Sequence, residues 1–369
     1  MSGNSRGNER TPDERRSAVP GTVPDLPDVL DASARIAPYI HRTPVCTCAA
    51  LNALAGAELY FKCENFQKVG AFKIRGAANA VFSLSGDEAA RGVATHSSGN
   101  HAQAVAFACR ARGIGARIVM PENSSRVKVD AVRGYGADIV FCGPRQNDRE
   151  ETLERVLAET GSVIIHPYDD VRIIAGQATA ALELLQQVSG GESSHEPNGV
   201  KHGADVRQDG SVSPINDHET KETPALDIVI APVGGGGLLS GTSIAVRRLS
   251  PTTIVIGAEP RNADDAYRSL RDGVLYPQPS GTTIADGLRT GLSERTFSII
   301  RQHVSAIVTV SEGSIVDAMR MIWERMKIMI EPSAAVPFAA IMEKKLDVRG
   351  KRVGIILSGG NVDLDALPW

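Results

Sequence analysis

The 369-residue chain is short of several things, and each shortage closes off a class of protein. It has no surplus of positive charge. Its 40 lysines and arginines face 43 acidic residues, a formal net charge of −3, whereas a nucleic-acid binder shows a clear basic excess. No apolar run reaches the length needed to span a bilayer, so no membrane partner is expected. The opening segment, MSGNSRGNERTPDERR, lacks the apolar core of a secretory signal, and a cytoplasmic location is expected. Cysteine is sparse: Cys46, Cys48, Cys63, Cys109 and Cys142. An odd count in so large a chain does not read as a disulfide framework. No second Cys or His cluster follows Cys46 and Cys48 at zinc-site spacing, so free thiols are expected.

What the chain does have is alternation. Residues 1–24 are polar and read as a disordered leader. A first helix begins near Pro27. Short apolar runs then alternate with helical patterns: ELYFK (58–62), a helix over 72–84, GVATHSS (92–98), a helix over 100–113, ARIVMP (116–121), a helix over 126–136, ADIVFCG (137–143), a helix over 148–161, SVIIHP (162–167) and a helix over about 171–188. LDIVIAPV (226–233), TIVIGAE (253–259) and RVGIILS (352–358) resume the strand pattern. Buried strands alternating with amphipathic helices predict an α/β fold with parallel sheets, helices on both faces and ligands at the strands' carboxyl ends. Residues 189–225 contain almost no large apolar side chain and read as a disordered insertion; its His195 and His202 have no metal-site spacing.

Four segments carry chemistry. In APVGGGGLLSG, a strand runs into Gly234, Gly235, Gly236 and Gly237 and then a helix. Such a turn lets backbone N–H groups converge on an anion at a helix N-terminus, and side chains would block the approach. It lacks both the Walker and the dinucleotide pattern, so it predicts a phosphate without saying which. In NFQKVGAFKIRGA, Lys73 sits at a predicted helix start between Phe72 and Ile74. An apolar setting and a positive helix end both ease its deprotonation, which suits a Schiff-base lysine. An ordinary amphipathic helix start is the alternative, and Lys68 and Arg75 are competing cations. In THSSGNHAQA, Ser97, Ser98, Asn100 and His101 crowd one strand–helix turn. That is more than helix capping requires, and it suits a carboxylate pocket. In ILSGGNVD, Ser358 ends a buried strand, where its hydroxyl can meet a heteroaromatic nitrogen or simply cap a turn.

In this order, the four segments resemble fold-type II pyridoxal-phosphate enzymes, in particular the serine racemase and serine/threonine dehydratase branch with its threo-3-hydroxyaspartate dehydratases. RVKVDAVRGYGADIVFC, AEPRNADDAY, TIADGLR, WERMK, IEPSAA and LSGGNVDL add to the resemblance, which runs from about residue 25 to Trp369 outside the insertion. It implies a tryptophan-synthase-β-like architecture of two parallel-sheet α/β domains with the cofactor between them. The large domain would comprise 25–68 and 163–369, and the small one 69–162. It implies pyridoxal 5′-phosphate on Lys73, which also acts as base at one face of Cα. Phe72 would lie against the ring, Asn100 would bond the ring hydroxyl, Gly234 to Gly237 would hold the phosphate, and Ser358 would meet the pyridine nitrogen. The implied activity is an ammonia-lyase (dehydratase) reaction on L-serine, L-threonine or a related 3-hydroxy amino acid. Serine racemase activity would run beside it through Ser98 on the opposite face, and 3-hydroxyaspartate is the alternative main substrate. Ser97, Ser98, His101 and Arg149 are the implied substrate residues, Arg149 reaching a dicarboxylate's distal group. Glu259, the Ala263 carbonyl and Asp265 would bind magnesium, calcium or manganese, as their oxygen donors suit. A homodimer is implied as well. The rivals are a β-replacement enzyme of the same fold and a catalytically silent cofactor-binding regulatory protein. Val69 and Ala71 stand where many relatives have Thr and Ser, a version closer to the racemase and hydroxyaspartate relatives.

Overall fold

The computed structural model describes residues 22–124, 126–190 and 225–369. Most of the leader and of the insertion read from the sequence lie outside these residues. The strands are β1 (Val45–Cys46), β2 (Glu58–Cys63), β3 (Val93–His96), β4 (Ala116–Pro121), β5 (Asp138–Cys142), β6 (Val163–Ile164), β7 (Ile228–Pro232), β8 (Ile254–Pro260), β9 (Ala306–Val310) and β10 (Arg352–Leu357). They form a six-stranded sheet in the order β1-β2-β10-β7-β8-β9 and a four-stranded sheet in the order β5-β4-β3-β6. Every ladder is parallel except β1 with β2, as expected for strands joined by helical crossovers. The fold is α/β with two parallel sheets.

Alternation along each strand explains the layering. In β10, Val353, Ile355 and Leu357 face one core with Phe61, Ile230 and Phe338. Ile356 faces the other core with Val229, Val255 and Leu184. In the smaller sheet, Val93, Ile118 and Met120 pack under the helices on one face, while Ala94, Val119 and Cys142 pack on the other. Because both faces are covered, these strands read as nearly unbroken apolar runs. Val163 and Ile164 pair with β3, so the passage out of the smaller sheet, drawn at residue 163 from the sequence, falls after Ile164. SVIIHP keeps only these two residues as strand.

Helix ends follow local chemistry. Leu26–Ile36 starts from Asp25, whose side chain accepts the Asp28 N–H in a capping box. The Asn100–Arg112 and Gln146–Thr160 helices stop at Gly113 and Gly161, both left-handed. Lys73 opens the Lys73–Phe82 helix. All five cysteines are free thiols. Among the described residues, no helix is long and apolar enough to cross a membrane.

One polar cluster is buried in the interior. Arg75, fully enclosed, donates to Glu64 at 2.6 and 2.8 Å and to Glu183 at 2.8 Å through two nitrogens. Lys62 reaches Glu183 at 2.6 Å, and Thr43 donates to Glu64 at 2.6 Å. Burial alone would make Arg75 easier to deprotonate, but Glu64 and Glu183 more than reverse this. The cluster ties the Lys73–Phe82 helix to the end of β2 and to the Val171–Ser189 helix.

Candidate active site

The carboxyl ends of β3, β7 and β10 and the start of the Lys73–Phe82 helix open onto one cavity of about 520 Å³. Phe72, Lys73, Ser97, Ser98, Asn100, His101, Arg149, Gly234 to Gly237 and Ser358 all line it. Residues more than 280 positions apart in sequence thus meet in one place (73 to 358).

The lysine is held by the end of the last strand. Phe72 N–H donates to Ser358 O at 3.0 Å, Gly360 N–H donates to Gly70 O at 2.9 Å, and Ala71 bridges Gly359. Val69, just before, has φ of 58°, a conformation costly for a β-branched residue. Asn361 Nδ2 bonds its carbonyl at 2.8 Å. Lys73 Nζ donates to Pro167 O at 2.9 Å and lies 5.2 Å from the Phe72 ring centroid. Burial pushes its pKa down to about 8, with Glu331 opposing the fall. A free amine is thus within reach near neutrality, which imine formation with an aldehyde requires.

The glycine run has no room for side chains. A Cβ on Gly235 would fall 2.3 Å from the Tyr168 ring, and one on Gly234 2.9 Å from Leu288 Cα. Gly236 has φ of 86°, which favours glycine. The Gly237–Leu249 helix follows directly. Gly235 N–H donates to Thr290 Oγ1 at 2.9 Å. Thr290 also lines the cavity. A backbone cradle at a helix N-terminus, a buried low-pKa lysine and a strand-end serine together fit a phosphorylated aldehyde cofactor.

Opposite the glycines, Ser97 Oγ accepts the Gly99 N–H at 3.2 Å, and Ser98 is half-buried. Asn100 Nδ2 donates to both oxygens of Glu331, at 3.0 and 3.1 Å, and its Oδ1 accepts from Asn361 at 2.9 Å. Glu331 is buried, which raises its pKa to about 7, against the hydrogen bond from Asn100. His101 Nε2 lies 3.1 Å from Ile165 O; a carbonyl can only accept, so this nitrogen carries the hydrogen. Its Nδ1 is buried without a partner. Arg149 is half-buried. Its Nε has no partner, and Nη2 makes only a long 3.4 Å contact with Pro144 O.

Glu259, Ala263 and Asp265 do not line this cavity. They form a separate buried group beyond β8. Glu259 accepts the N–H groups of Ala266 (3.2 Å) and Tyr267 (2.9 Å). Among the described residues neither buried oxygen of Asp265 has a hydrogen-bond partner, although the backbone N–H groups of Asp265 and Leu292 draw its pKa down. Burial raises the pKa of Asp265 to about 6, and that of Glu259 well above its ordinary value. Two enclosed carboxylates, one of them without a hydrogen-bond partner among the described residues, fit a hard cation. Among the described residues no three His, Cys, Asp or Glu side chains converge, so backbone carbonyls and water would complete such a shell.

Glu331, Tyr168, Thr290 and His166 line the cavity but are not evident from sequence reasoning. Glu331 lies within IEPSAA, where the Pro at the helix start is the visible signal and hides the acid before it. His166 and Tyr168 end the run SVIIHP–Tyr, which reads as strand.

Comparison with known proteins identifies the chain's relatives. The family model described as pyridoxal-phosphate dependent enzyme matches residues 36–201 and 215–359. The chain is 47% identical over 347 residues to the beta-hydroxyaspartate dehydratase of Paracoccus denitrificans, covering 94% of this chain and 99% of that one. It is 44% identical over 348 residues to the serine racemase of Dictyostelium discoideum, covering 93% and 96%. Among solved structures, maize serine racemase superposes with a TM-score of 0.82 at 41% identity, covering 92% of this chain and 94% of that one.

Proposed function

The chain belongs to the pyridoxal-phosphate dependent enzyme family, and from that premise we propose that it is an ammonia-lyase of 3-hydroxy amino acids, with 3-hydroxyaspartate favoured over L-serine and L-threonine, and with serine racemisation as a side activity. The observation that carries the substrate preference is Arg149. Its guanidinium borders the cavity that holds Lys73, with a buried Nε left without a partner. A half-buried guanidinium whose buried Nε has no hydrogen-bond partner among the described residues is incompletely satisfied, and a second substrate carboxylate supplies the missing acceptor through a charge-assisted contact.

Lys73, Phe72, Asn100, Gly234 to Gly237 and Ser358 are the residues that would hold pyridoxal phosphate. When bound, the cofactor supplies an electron sink for the pair left as Cα loses its proton. Lys73 is the base: its lowered pKa leaves part of the amine neutral near pH 7. The Ser97–Asn100 turn, with the N–H groups at the start of the Asn100–Arg112 helix, receives the α-carboxylate. Ser98 stands on that turn, and its hydroxyl returns a proton to the second face of Cα when racemisation occurs. Glu331, which receives Asn100, keeps Asn100 oriented. Overall, the amino acid gives a 2-oxo acid and ammonia; one water leaves the carbon skeleton and one re-enters.

Magnesium, calcium or manganese at Glu259, the Ala263 carbonyl and Asp265 is part of this reading, supported by the unpartnered Asp265 oxygens. A homodimer is part of it as well, supported by the exposed Phe66 and Met329, which flank the hydrogen bond from Asn65 to Met329 O.

The test is a substrate panel of L-serine, L-threonine and L-threo-3-hydroxyaspartate, scoring 2-oxo acid and D-amino acid together. The expected order by kcat/KM places 3-hydroxyaspartate first. Arg149→Ala should lower kcat/KM for it by roughly a hundredfold, as for the loss of a buried charge-assisted pair, and leave L-serine within about threefold. Equal losses on both substrates would remove Arg149 from distal-carboxylate recognition.

A further inference from the structure

The stretch from Ile165 to Asp169 leaves β6 and is pinned at several points. Ile165 N–H donates to Ala94 O at 3.0 Å, and Ile165 O receives His101 Nε2. Pro167 O accepts from Lys73 Nζ at 2.9 Å. Between these two carbonyls, His166 Nδ1 accepts two backbone N–H groups, from Asp169 at 2.8 Å and from Tyr168 at 3.3 Å. A backbone N–H can only donate. Nδ1 therefore presents a lone pair, and the single hydrogen of the ring sits on Nε2.

A second proton would have to occupy Nδ1, facing both of those N–H groups. Burial also pushes the pKa of His166 down to about 4; Asp169 and Asp170 oppose the fall, while His96 and Lys73 add to it. The ring is held edge-on to Tyr168, centroids 4.7 Å apart at 86°. Nε2, across Cε1 from Nδ1, diverges from the two N–H groups that Nδ1 receives and makes no hydrogen bond among the described residues. His166 lines the same cavity as Lys73 and Ser98.

We infer that His166 Nε2–H is a fixed, neutral hydrogen-bond donor for the oxygen on the β-carbon of the bound hydroxy amino acid, an assignment that rests on the lyase reading above. The substrate's α-carboxylate has its own donors on the Ser97–Asn100 turn. Lys73 works at Cα, and Pro167 couples Lys73 to the residue next to His166, so this donor flanks the carbon adjacent to Cα. A donor already aimed at the oxygen strengthens its bond as negative charge grows there during C–O cleavage. The hydrogen stays on Nε2 throughout: the electron pair of the C–O bond goes to oxygen, the departing hydroxide takes up the proton that Lys73 removed from Cα and leaves as water, and His166 transfers no proton.

His166→Asn separates the two edges of the ring. Asparagine Oδ1 can still accept the Tyr168 and Asp169 N–H groups, as in an Asx turn, but no donor extends as far as Nε2. The holoenzyme is titrated with 3-hydroxypropanoate and with propanoate, two non-reacting acids that differ by one hydroxyl, and binding is followed by calorimetry. Wild type should bind the hydroxy acid about tenfold more tightly. In His166→Asn this preference should vanish while propanoate binding stays the same. In wild-type holoenzyme with nitrogen-labelled histidine, NMR should show the Nε2–H tautomer of His166 from about pH 5.5 to 8, with its resonance shifting on adding 3-hydroxypropanoate and not propanoate. Equal weakening of both acids in the variant, no preference in wild type, or an Nδ1–H tautomer would each overturn the assignment. The NMR measurement decides the matter even if the variant fails to fold. A protein showing the tautomer and the preference, yet forming no 2-oxo acid from any hydroxy amino acid, would uphold the donor and sink the lyase reading instead.

Discussion

Replacing Arg75 with methionine removes a charge from the interior at nearly constant volume. Arg75 is fully buried and makes four contacts of 2.6 to 2.8 Å with Glu64 and Glu183. In the variant, Glu183 keeps Lys62 at 2.6 Å, while Glu64 keeps only the Thr43 hydroxyl at 2.6 Å. One buried carboxylate, Glu64, is thus left without a hydrogen-bonded cation, with only the more distant charge of Lys62 acting on it. Removing one partner of a buried pair costs about 3–5 kcal/mol, a large share of the ~5–15 kcal/mol that holds a typical native state together. Urea unfolding of the holoenzyme, followed by circular dichroism, should show the midpoint falling by that free energy divided by the slope m, with the slope itself unchanged. Adding Glu64→Gln neutralises the stranded acid and should restore at least about half of the loss, the two sites being in direct contact. The wild-type cluster also predicts an acid limb. Burial alone would raise the pKa of Glu183, but Arg75 and Lys62 bring it below the ordinary value. Its contribution is therefore present above about pH 4.5 and is lost as pH falls through the lowered value. A loss below about 1 kcal/mol in Arg75→Met, or no recovery in the double variant, would refute this account.

Ser98→Ala should cut D-serine formation from L-serine by at least about a hundredfold, within the range for loss of a proton-transfer group, while pyruvate formation falls less; chiral chromatography of one reaction mixture reads both, and parallel losses would count against Ser98 as the second-face acid. Reconstitution of cofactor-free protein with pyridoxal phosphate should quicken as pH rises toward about 8, since the neutral fraction of the Lys73 amine grows roughly tenfold per unit below its pKa; stopped-flow absorbance measures this, and a rate still climbing toward pH 10 would mean an ordinary lysine. Magnesium should raise the melting temperature of wild type, and Asp265→Asn should abolish the rise, because ligand stabilisation follows site occupancy; an equal rise in both proteins would place the cation elsewhere.

The fold was legible because buried parallel strands are apolar on both faces and their helices start and stop at capping residues and glycines. Two strand-end motifs stood out in the sequence because glycine runs and serine clusters are costly or odd as mere structure, whereas the helix start at Lys73 and the strand end at Ser358 each also read as plain structure. What stayed hidden depends on tertiary placement alone. Arg75 stands two residues from Lys73 and looked like a rival cation; only the fold shows it sealed against Glu64 and Glu183, while Lys68 lies over the Phe107 ring at 5.7 Å. Glu331 is one acid before a proline, with nothing local to say that it meets Asn100 across 231 positions. His166 and Tyr168 continue an apolar run, which hides the loop that begins after Ile164.

The position of β10 has a consequence for how the protein is made. This strand lies between β2 and β7 in the middle of the larger sheet, and its end holds Phe72 and so Lys73. It is also the last strand of the described chain to leave the ribosome. Until it inserts, β2 and β7 have no shared neighbour, and the lysine has no fixed place beside the glycine cradle. On the proposed reading that Lys73 carries the cofactor, a nascent chain that has already exposed Lys73 and all four glycines still lacks the assembled pocket until synthesis has passed β10.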